Sequence, residues 1–470
     1  MIWDLGSFSK NIAVIDENAI SYTYSELKNS CEKLASFIGG RCLVFVLASN
    51  TIGSLVGYAG LINNRIVPLM LDGHLDKELL DNLIATYCPK YMWCPTVKAS
   101  ELGFEIVFSL YDYSLLKTNC LVEFPMHEEL ALLLTTSGST GSPKLVRQTY
   151  TNILANTKSI VQYLELTQSE RPITTLPMNY TYGISIINTH LFVGSTILLT
   201  NETIFSREFW RMFKEESATS FGGVPYTYEM LEKLRFFRMD LPSLRTMTQA
   251  GGKITLDLHK KFSEYAHANN KRFVVMYGQT EATARMAYLP HDKAIEKCGS
   301  MGIAIPGGKF SLIDTNGNII NKPDEVGELV YEGDNVTFGY AICGDDLVKG
   351  DENKGRLLTG DMAKFDKDGF YYIVGRKKRF LKMFGKRVNL DEMERMIKSD
   401  FADIECACCG VDDNMYVFVT DSTLLETIKN YVSEKTGINF SGFKVRFVES
   451  IPKNESGKIK YLELEQFYDK

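Results

Sequence analysis

The residues best equipped for chemistry run from Thr135 to Lys144, TTSGSTGSPK, directly behind the apolar run Leu130, Ala131, Leu132, Leu133 and Leu134. No charge enters between Leu130 and Lys144, so the segment reads as a buried strand opening into a loop of small residues. Such a loop presents backbone N–H groups and hydroxyls without bulky side chains in the way, and Lys144 adds a positive charge at its end. Together they suit a polyphosphate. The pattern is not the Walker motif, because Gly138 is followed by Ser139, Thr140 and Gly141, and then by Ser142, Pro143 and Lys144. A flexible Gly/Ser linker is the competing reading, but a linker seldom follows a buried strand and ends in Pro-Lys ahead of another apolar stretch.

Three further stretches carry reactive side chains. In YGQTEATARM, Tyr277 to Met286, a tyrosine can cover a purine face and Gly278 lets the backbone approach a ligand. Thr280 can donate to a phosphate oxygen, and Glu281 can hold Mg²⁺. The same residues also make an ordinary strand-to-helix turn. In LLTGD, Leu357 to Asp361, the carboxylate could accept both hydroxyls of a ribose, although Gly-Asp is common turn chemistry. NESGKIK, Asn454 to Lys460, places Lys458 after a flexible Ser-Gly; alone, such a lysine reads as a solvated charge.

The elements around these stretches alternate. Helical spacing of Tyr24, Leu27, Cys31, Leu34, Ala35 and Ile38 is followed by the apolar run Leu43 to Leu47, a helical stretch from Ile52 to Ile62 and a short strand from Ile66 to Leu71. The alternation resumes beyond the loop, with a helix expected over 152–164, strands over 173–176 and 196–199, and a helix around 205–213. A strand-turn over 220–224 leads to a helix opening at Pro225, and the strands over 244–248 and 273–276, like the one before the Gly/Ser loop, end in small residues, where α/β sheets place ligands. Beyond about residue 300, short strands separated by Gly and Asp turns indicate a small β subdomain. GRKKRF, Gly375 to Phe380, puts four cations in a row and reads as an exposed joint. A small α+β region follows it.

At 470 residues the chain exceeds one ordinary core. Its net charge of -6 argues against a nucleic-acid binder. Pro172 to Asn201 carries no Asp, Glu, Lys or Arg, but Pro177, Asn179, Gly183, Asn188, His190 and Gly194 divide it, so a buried strand, helix and strand are expected instead of a membrane span. The N-terminus has no secretory pattern, and a cytoplasmic location is expected. Cys406, Cys408 and Cys409 cluster without a second ligand pair, which reads as core thiols in a reducing compartment.

The order of the stretches resembles the adenylate-forming superfamily of acyl- and aryl-CoA synthetases, luciferases and peptide-synthetase adenylation domains. The likeness covers nearly the whole chain, from TYSEL at Thr23 to Leu27, through GGVP at Gly222 to Pro225 and GELVYEG at Gly327 to Gly333, to SGK at Ser456 to Lys458. It implies an α/β fold, with a large multi-sheet N-terminal domain and its β subdomain over 1–376 and a small mobile α+β C-terminal domain over 377–470. It also implies an AMP-forming acid ligase. ATP and Mg²⁺ activate a small carboxylic acid to an acyl-adenylate, and the acyl group passes to CoA or to the phosphopantetheine thiol of an acyl carrier protein. An amine acceptor, or ADP-forming phosphoryl transfer, are the alternatives.

By matching position, the resemblance assigns Thr136, Ser137, Gly138, Ser139, Thr140, Gly141 and Lys144 to the β- and γ-phosphates. Gly252 and Tyr277 would flank the adenine, with Gly278 and Gln279 also at the nucleotide, Thr280 at the α-phosphate, Glu281 at the Mg²⁺, and Asp361 and Arg376 at the ribose. Lys458 would bridge the acid and the α-phosphate, Lys378 would be the pivot, and Lys382 an alternative active-site lysine. Tyr180, Gly183, Gln249, Lys253, Met276, Arg285 and Met301 fall near positions that shape the acyl pocket, and Lys253 or Arg285 could pair with a second polar or anionic group. Tyr180 departs from the histidine of many acyl-CoA members. No Asp occurs between Ile184 and Ile187, where amino-acid-activating members place one, which disfavours an α-amino acid.

Overall fold

Uninterrupted apolar runs make the central strands. Leu43–Ala48 is buried at every residue, and Val67–Asp72 and Leu130–Thr135 at all but the last. Burial on both faces is what parallel strands flanked by helices require. The computed structural model describes residues 2–135, 144–384, 386–401, 404–453 and 459–468. The chain divides into two units, Met1–Phe310 with Tyr331–Leu357, and Ser311–Val330 with Leu358–Lys470.

In the first unit an eight-stranded sheet runs in the order Tyr340–Ala341, Leu145–Thr149, Leu130–Thr135, Val67–Asp72, Leu43–Ala48, Tyr91–Pro95, Tyr113–Lys117 and Glu105–Leu110. Its centre is parallel, with Leu69 opposite Leu133 and Phe45 opposite Leu69, and its edges are antiparallel. A five-stranded sheet starts with the parallel strands Ser220–Gly223, Thr246–Gln249 and Arg272–Tyr277 and ends in Ala287–Tyr288 and Ile303–Ala304. A three-stranded sheet joins Ile197–Leu199, Ile12–Asp16 and Ser21–Thr23.

Helices start where the sequence provides caps. Thr23 and Glu26 form a capping box for Tyr24–Ile38, which buries Leu27, Cys31, Leu34 and Ile38. Pro225 occupies the first turn of Pro225–Lys233, where its missing N–H is harmless. The uncharged stretch after Pro172 forms the helix Thr181–Phe192 and the strand Ile197–Leu199. The strand expected over 173–176 is only a pair of isolated bridges, Pro172 to Ser220 and Ile173 to Leu198, which tie two sheets together instead of extending one. No described helix is long and apolar enough to cross a membrane.

The second unit holds a five-stranded sheet in the order Ile319–Ile320, Lys309–Ile313, Gly327–Glu332, Arg356–Phe365 and Tyr371–Arg376. A hairpin of Phe380–Met383 with Lys386–Asn389 follows, then a sheet of Cys406–Val411, Asn414–Val419 and Phe443–Phe447 packed by Leu390–Asp400 and Leu425–Thr436. Cys406, Cys408 and Cys409 are buried and unpaired, and no His, Cys, Asp and Glu group suited to a metal occurs among the described residues. This unit therefore takes in the small β-sheet as well as the residues beyond Arg376.

The cationic run at the joint is only partly exposed. Arg376 and Lys377 extend outward, but Arg379 is largely enclosed, its side chain 12% exposed and 2.7 Å from both Asp391 and Glu394, and it donates to the Cys408 carbonyl at 2.6 Å. The Tyr461 ring lies 3.7 Å from its guanidinium carbon. Two carboxylates and an aromatic face compensate a charge that charge patterning alone assigns to solvent.

Candidate active site

Arg272–Tyr277 ends in a turn whose shape depends on Gly278: a Cβ there would lie 1.6 Å from the Ala284 carbonyl oxygen. The single helical turn Thr280–Ala282 follows, and then Thr283 and Ala284 adopt φ of 52° and 91°. Two consecutive residues with side chains in this region hold strain that surrounding bonds must offset. Asn335 provides two of them, its Nδ2 donating to the carbonyls of Ala282 at 2.8 Å and Arg285 at 2.9 Å. Thr283 Oγ1 donates to the Asn335 carbonyl, Tyr331 Oη donates to Asn335 Oδ1, and Asn156 Nδ2 donates to the Arg285 carbonyl, each at 2.8 Å. Gln148 Nε2 reaches the Thr280 carbonyl at 3.3 Å, and the Thr337 N–H donates to the Glu281 carbonyl at 3.0 Å.

This framework aims Glu281 at Tyr340, whose hydroxyl donates to Glu281 Oε1 at 2.7 Å. Burial, and then the negative charge of Glu281, push the phenol's pKa up, so it remains a donor. On the same ring sits the half-buried Lys144, its Nζ 3.5 Å from the centroid. One phenol therefore joins the cation behind the Gly/Ser loop to the carboxylate of the next strand-end turn. Tyr340 is opposite Val146 at the sheet edge, where the buried Arg147 donates to its carbonyl at 3.1 Å and to that of Phe338 at 2.8 Å. Arg147 also bonds Glu352 and the Lys349 carbonyl. Thr136, Ser137, Gly138, Ser139, Thr140 and Gly141 lie outside the described residues.

The expected acyl-pocket residues gather at the ends of the parallel strands. Gln249 is fully buried; its Nε2 donates to the carbonyls of Ala250 and Gly252, and its Oε1 has no partner. Gly183 starts the buried helix Thr181–Phe192 so closely that a Cβ would lie 2.3 Å from the Pro177 carbonyl oxygen. Gly251, at φ 84°, keeps room for Tyr180, whose Oη would be 2.6 Å from a Cβ there. Met276 Sδ accepts from Tyr163 Oη at 3.1 Å, and Met301 is buried. Lys253 and Gly252 are exposed, while Gln279 Nε2 donates to Tyr277 Oη at 3.3 Å. Arg285 is buried, with its guanidinium carbon 3.8 Å from the centre of the Tyr182 ring.

In the second unit Asp361 is 2% exposed and pairs with Arg376 at 2.7 Å across adjacent strands. Lys377 pairs with Glu328 at 2.6 Å. Lys378 lies in the turn Lys377–Arg379, its side chain outside what is described. Lys382 is exposed on the hairpin, its N–H donating to Asp412 at 2.7 Å. Lys458 lies outside the described residues, between the bridge partners Lys453 and Ile459.

Tyr340, Asn335 and Asn156 hold the turn around Glu281 without having stood out in the sequence, and Tyr331 stood out only as part of GELVYEG. Tyr340 and Asn335 are distant in the chain from the turn they hold; the only local signal is Gly339 at φ 106° ahead of Tyr340.

Solved structures share this fold. The O-succinylbenzoate coenzyme A synthetase MenE of Bacillus subtilis, in complex with AMP, matches with a TM-score of 0.79 over 98% of this chain and 97% of that one, at 20% identity. The same synthetase with ATP and magnesium ion matches at 0.78, with 20% identity and 98% of each chain covered. At that identity the likeness is one of fold. In sequence, the 2-succinylbenzoate–CoA ligase of Bacillus licheniformis is 29% identical over 346 residues, covering 71% of this chain and 69% of its own. The chain belongs to the AMP-binding enzyme family, whose profile matches residues 4–341.

Proposed function

We propose that this chain is an AMP-forming acid–thiol ligase that couples ATP cleavage to activation of a small carboxylic acid and then passes the acyl group to CoA. The observation that carries the reading is the placement of Lys144 and Glu281 on one phenol, Tyr340. A cation beside a hard-oxygen donor is the pair that an Mg²⁺-bound triphosphate requires. The donor set fits Mg²⁺, which is usually held by one or two carboxylates together with substrate phosphates. Glu281 would hold it, with Thr280 at the α-phosphate, and when bound it supplies charge neutralisation on the phosphate oxygens.

Lys144 and the loop 136–143 bind the β- and γ-phosphates in this reading, with Gly252 and Tyr277 flanking the adenine and Gly278 and Gln279 also at the nucleotide. The buried Asp361, paired with Arg376, would take the ribose hydroxyls. Lys458 brings positive charge to the point where the acid carboxylate attacks the α-phosphorus and pyrophosphate leaves, offsetting the repulsion of two anions. Rotation of residues 377–470 about Lys378 would then withdraw Lys458 and bring in the face carrying Lys382 for thiol transfer. Relatives named for CoA ligation support CoA over a carrier-protein thiol. Ten unpaired cysteines fit a reducing compartment, here the cytoplasm.

The test is acid-dependent exchange of labelled pyrophosphate into ATP, screened over short, long, aromatic, hydroxy and dicarboxylic acids with CoA present and absent. AMP as the product supports the reading. ADP as the product, or nucleotide binding without turnover, refutes it.

A further inference from the structure

Arg285 is 3% exposed, yet no carboxylate among the described residues pairs with it. Its Nε has no hydrogen-bond partner; its guanidinium carbon lies 3.8 Å from the centre of the Tyr182 ring, and the neutral Tyr163 hydroxyl is within hydrogen-bonding reach. A guanidinium cannot shed its proton to escape burial, and an unpaired buried charge is among the most unfavourable arrangements in a protein interior. Among the described residues, the other buried arginine, Arg147, has Glu352, and the largely enclosed Arg379 has Asp391 and Glu394. Arg285 is the exception.

The groups around it do not supply the missing charge. Tyr163, Tyr180 and Tyr182 all lie within its field, and burial raises the pKa of each phenol, to about 12 for Tyr182. They remain neutral hydroxyls. Tyr182 Oη is satisfied by Thr248, and Tyr163 Oη by Met276 Sδ, whereas Tyr180 Oη has no partner among the described residues.

Arg285 lines a cavity of about 30 Å³ with Met276, Thr248, Gly222, Ser185 and His190. His190 is 4% exposed; its Nδ1 is 2.7 Å from the Ile186 carbonyl and its Nε2 has no partner. With Nδ1 donating, Nε2 is left as an acceptor suited to one water. A water requires roughly 10–15 Å³, so the space beside Arg285 and His190 holds a water or two, while Ile160, Leu164, Leu166, Ile186 and Phe221 make the rest of its wall apolar. The wall is built from the three parallel strands, including the starts of two of them at Ser220 and Thr246, and from the helices Tyr150–Leu164 and Thr181–Phe192. Neither Lys144 nor Tyr340 takes part in it, so the cavity lies on the acid side and not at the phosphates.

We propose that the acid activated by this enzyme carries a second carboxylate, which seats against Arg285 as its fixed counter-charge. The proposal rests on the acid-ligase reading and narrows its substrate class to dicarboxylic acids. The planar fork of a guanidinium matches a carboxylate with two parallel N–H···O bonds.

The experiment is pyrophosphate exchange with short aliphatic and aromatic diacids, each run against its own monoamide and against the monocarboxylate of equal length. The expected result is a kcat/KM for at least one diacid about 10²-fold above its monoamide, as removal of one partner from a buried charge pair predicts. In Arg285→Gln that ratio collapses to within a few-fold of one; if the variant folds poorly, the wild-type ratio decides alone. Equal turnover of a diacid and its monoamide, or preference for the monocarboxylate, overturns the second-carboxylate site and leaves the ligase reading standing. No exchange with any acid overturns both.

Discussion

The Tyr340 hydroxyl donates a 2.7 Å hydrogen bond to Glu281 Oε1 while the Lys144 ammonium rests on the same ring, 3.5 Å from its centre. Tyr340→Phe keeps the surface under Lys144 and removes the donor to the carboxylate. A hydrogen bond to a charged group contributes about 1.5–3 kcal/mol, so a fall in exchange rate of about tenfold or more is expected. The Mg²⁺ concentration for half-maximal exchange should rise in parallel. An unchanged Mg²⁺ dependence would remove Tyr340 from the positioning of Glu281.

Asn335 holds the strained turn with bonds to the Ala282 and Arg285 carbonyls and is itself held by Tyr331. Asn335→Ala leaves buried acceptors without donors, and a loss of about 3 kcal/mol in unfolding free energy is expected. Urea titration measures it. Exchange should fall more than stability alone explains, because both Glu281 and Arg285 are borne by the turn that relaxes.

Lys458→Ala should lower acid-dependent pyrophosphate exchange by about 10²- to 10³-fold, the usual effect of removing one preorganised contact to developing charge. Thiol transfer from a preformed acyl-adenylate should survive. Equal loss of both half-reactions would show that the lysine acts in something other than adenylation.

His259 is fully buried, and burial lowers its pKa to about 4. Its Nδ1 accepts the Gly299 N–H at 3.1 Å, which a protonated ring cannot do. Because the folded value lies below the unfolded value near 6.5, the contribution is complete above pH 6.5 and is lost as pH falls from there towards 4. The full effect is about 3 kcal/mol. Urea unfolding between pH 7 and 4 should show the decline, and His259→Gln should be less stable at pH 7 but flatter across that window.

Much of the site could be read from the chain because its parts are local. Leu130–Thr135 and Arg272–Tyr277 are largely apolar runs followed by small residues, with Lys144 nine positions beyond the first end and Glu281 four beyond the second. What brings them together could not be read that way. Tyr340 is 59 positions from Glu281 and Asn335 is 50 from Arg285, and each is a single polar residue with no periodic neighbours. Arg379 was illegible for the opposite reason: within GRKKRF it looks like one solvated charge of four, and only Asp391 and Glu394 on a later helix give it somewhere to be buried. Likewise the apolar stretch over 173–176 has the composition of a strand, but its neighbours on either side belong to different sheets.

The bonds flanking Lys378 limit what a pivot there can do. Upstream, Arg376 and Lys377 are tethered to Asp361 and Glu328; downstream, Arg379 is anchored to the helix Leu390–Asp400. Asn389 and Arg395 also reach back to the Val374 carbonyl, at 3.0 and 3.4 Å, and Asp391 accepts the Arg376 N–H at 3.3 Å. These three links span the joint, so turning about Lys378 breaks them together, whereas the Arg379 anchor travels intact with its own side. The swing would then behave as a latch that is either engaged or released, with few stable positions between.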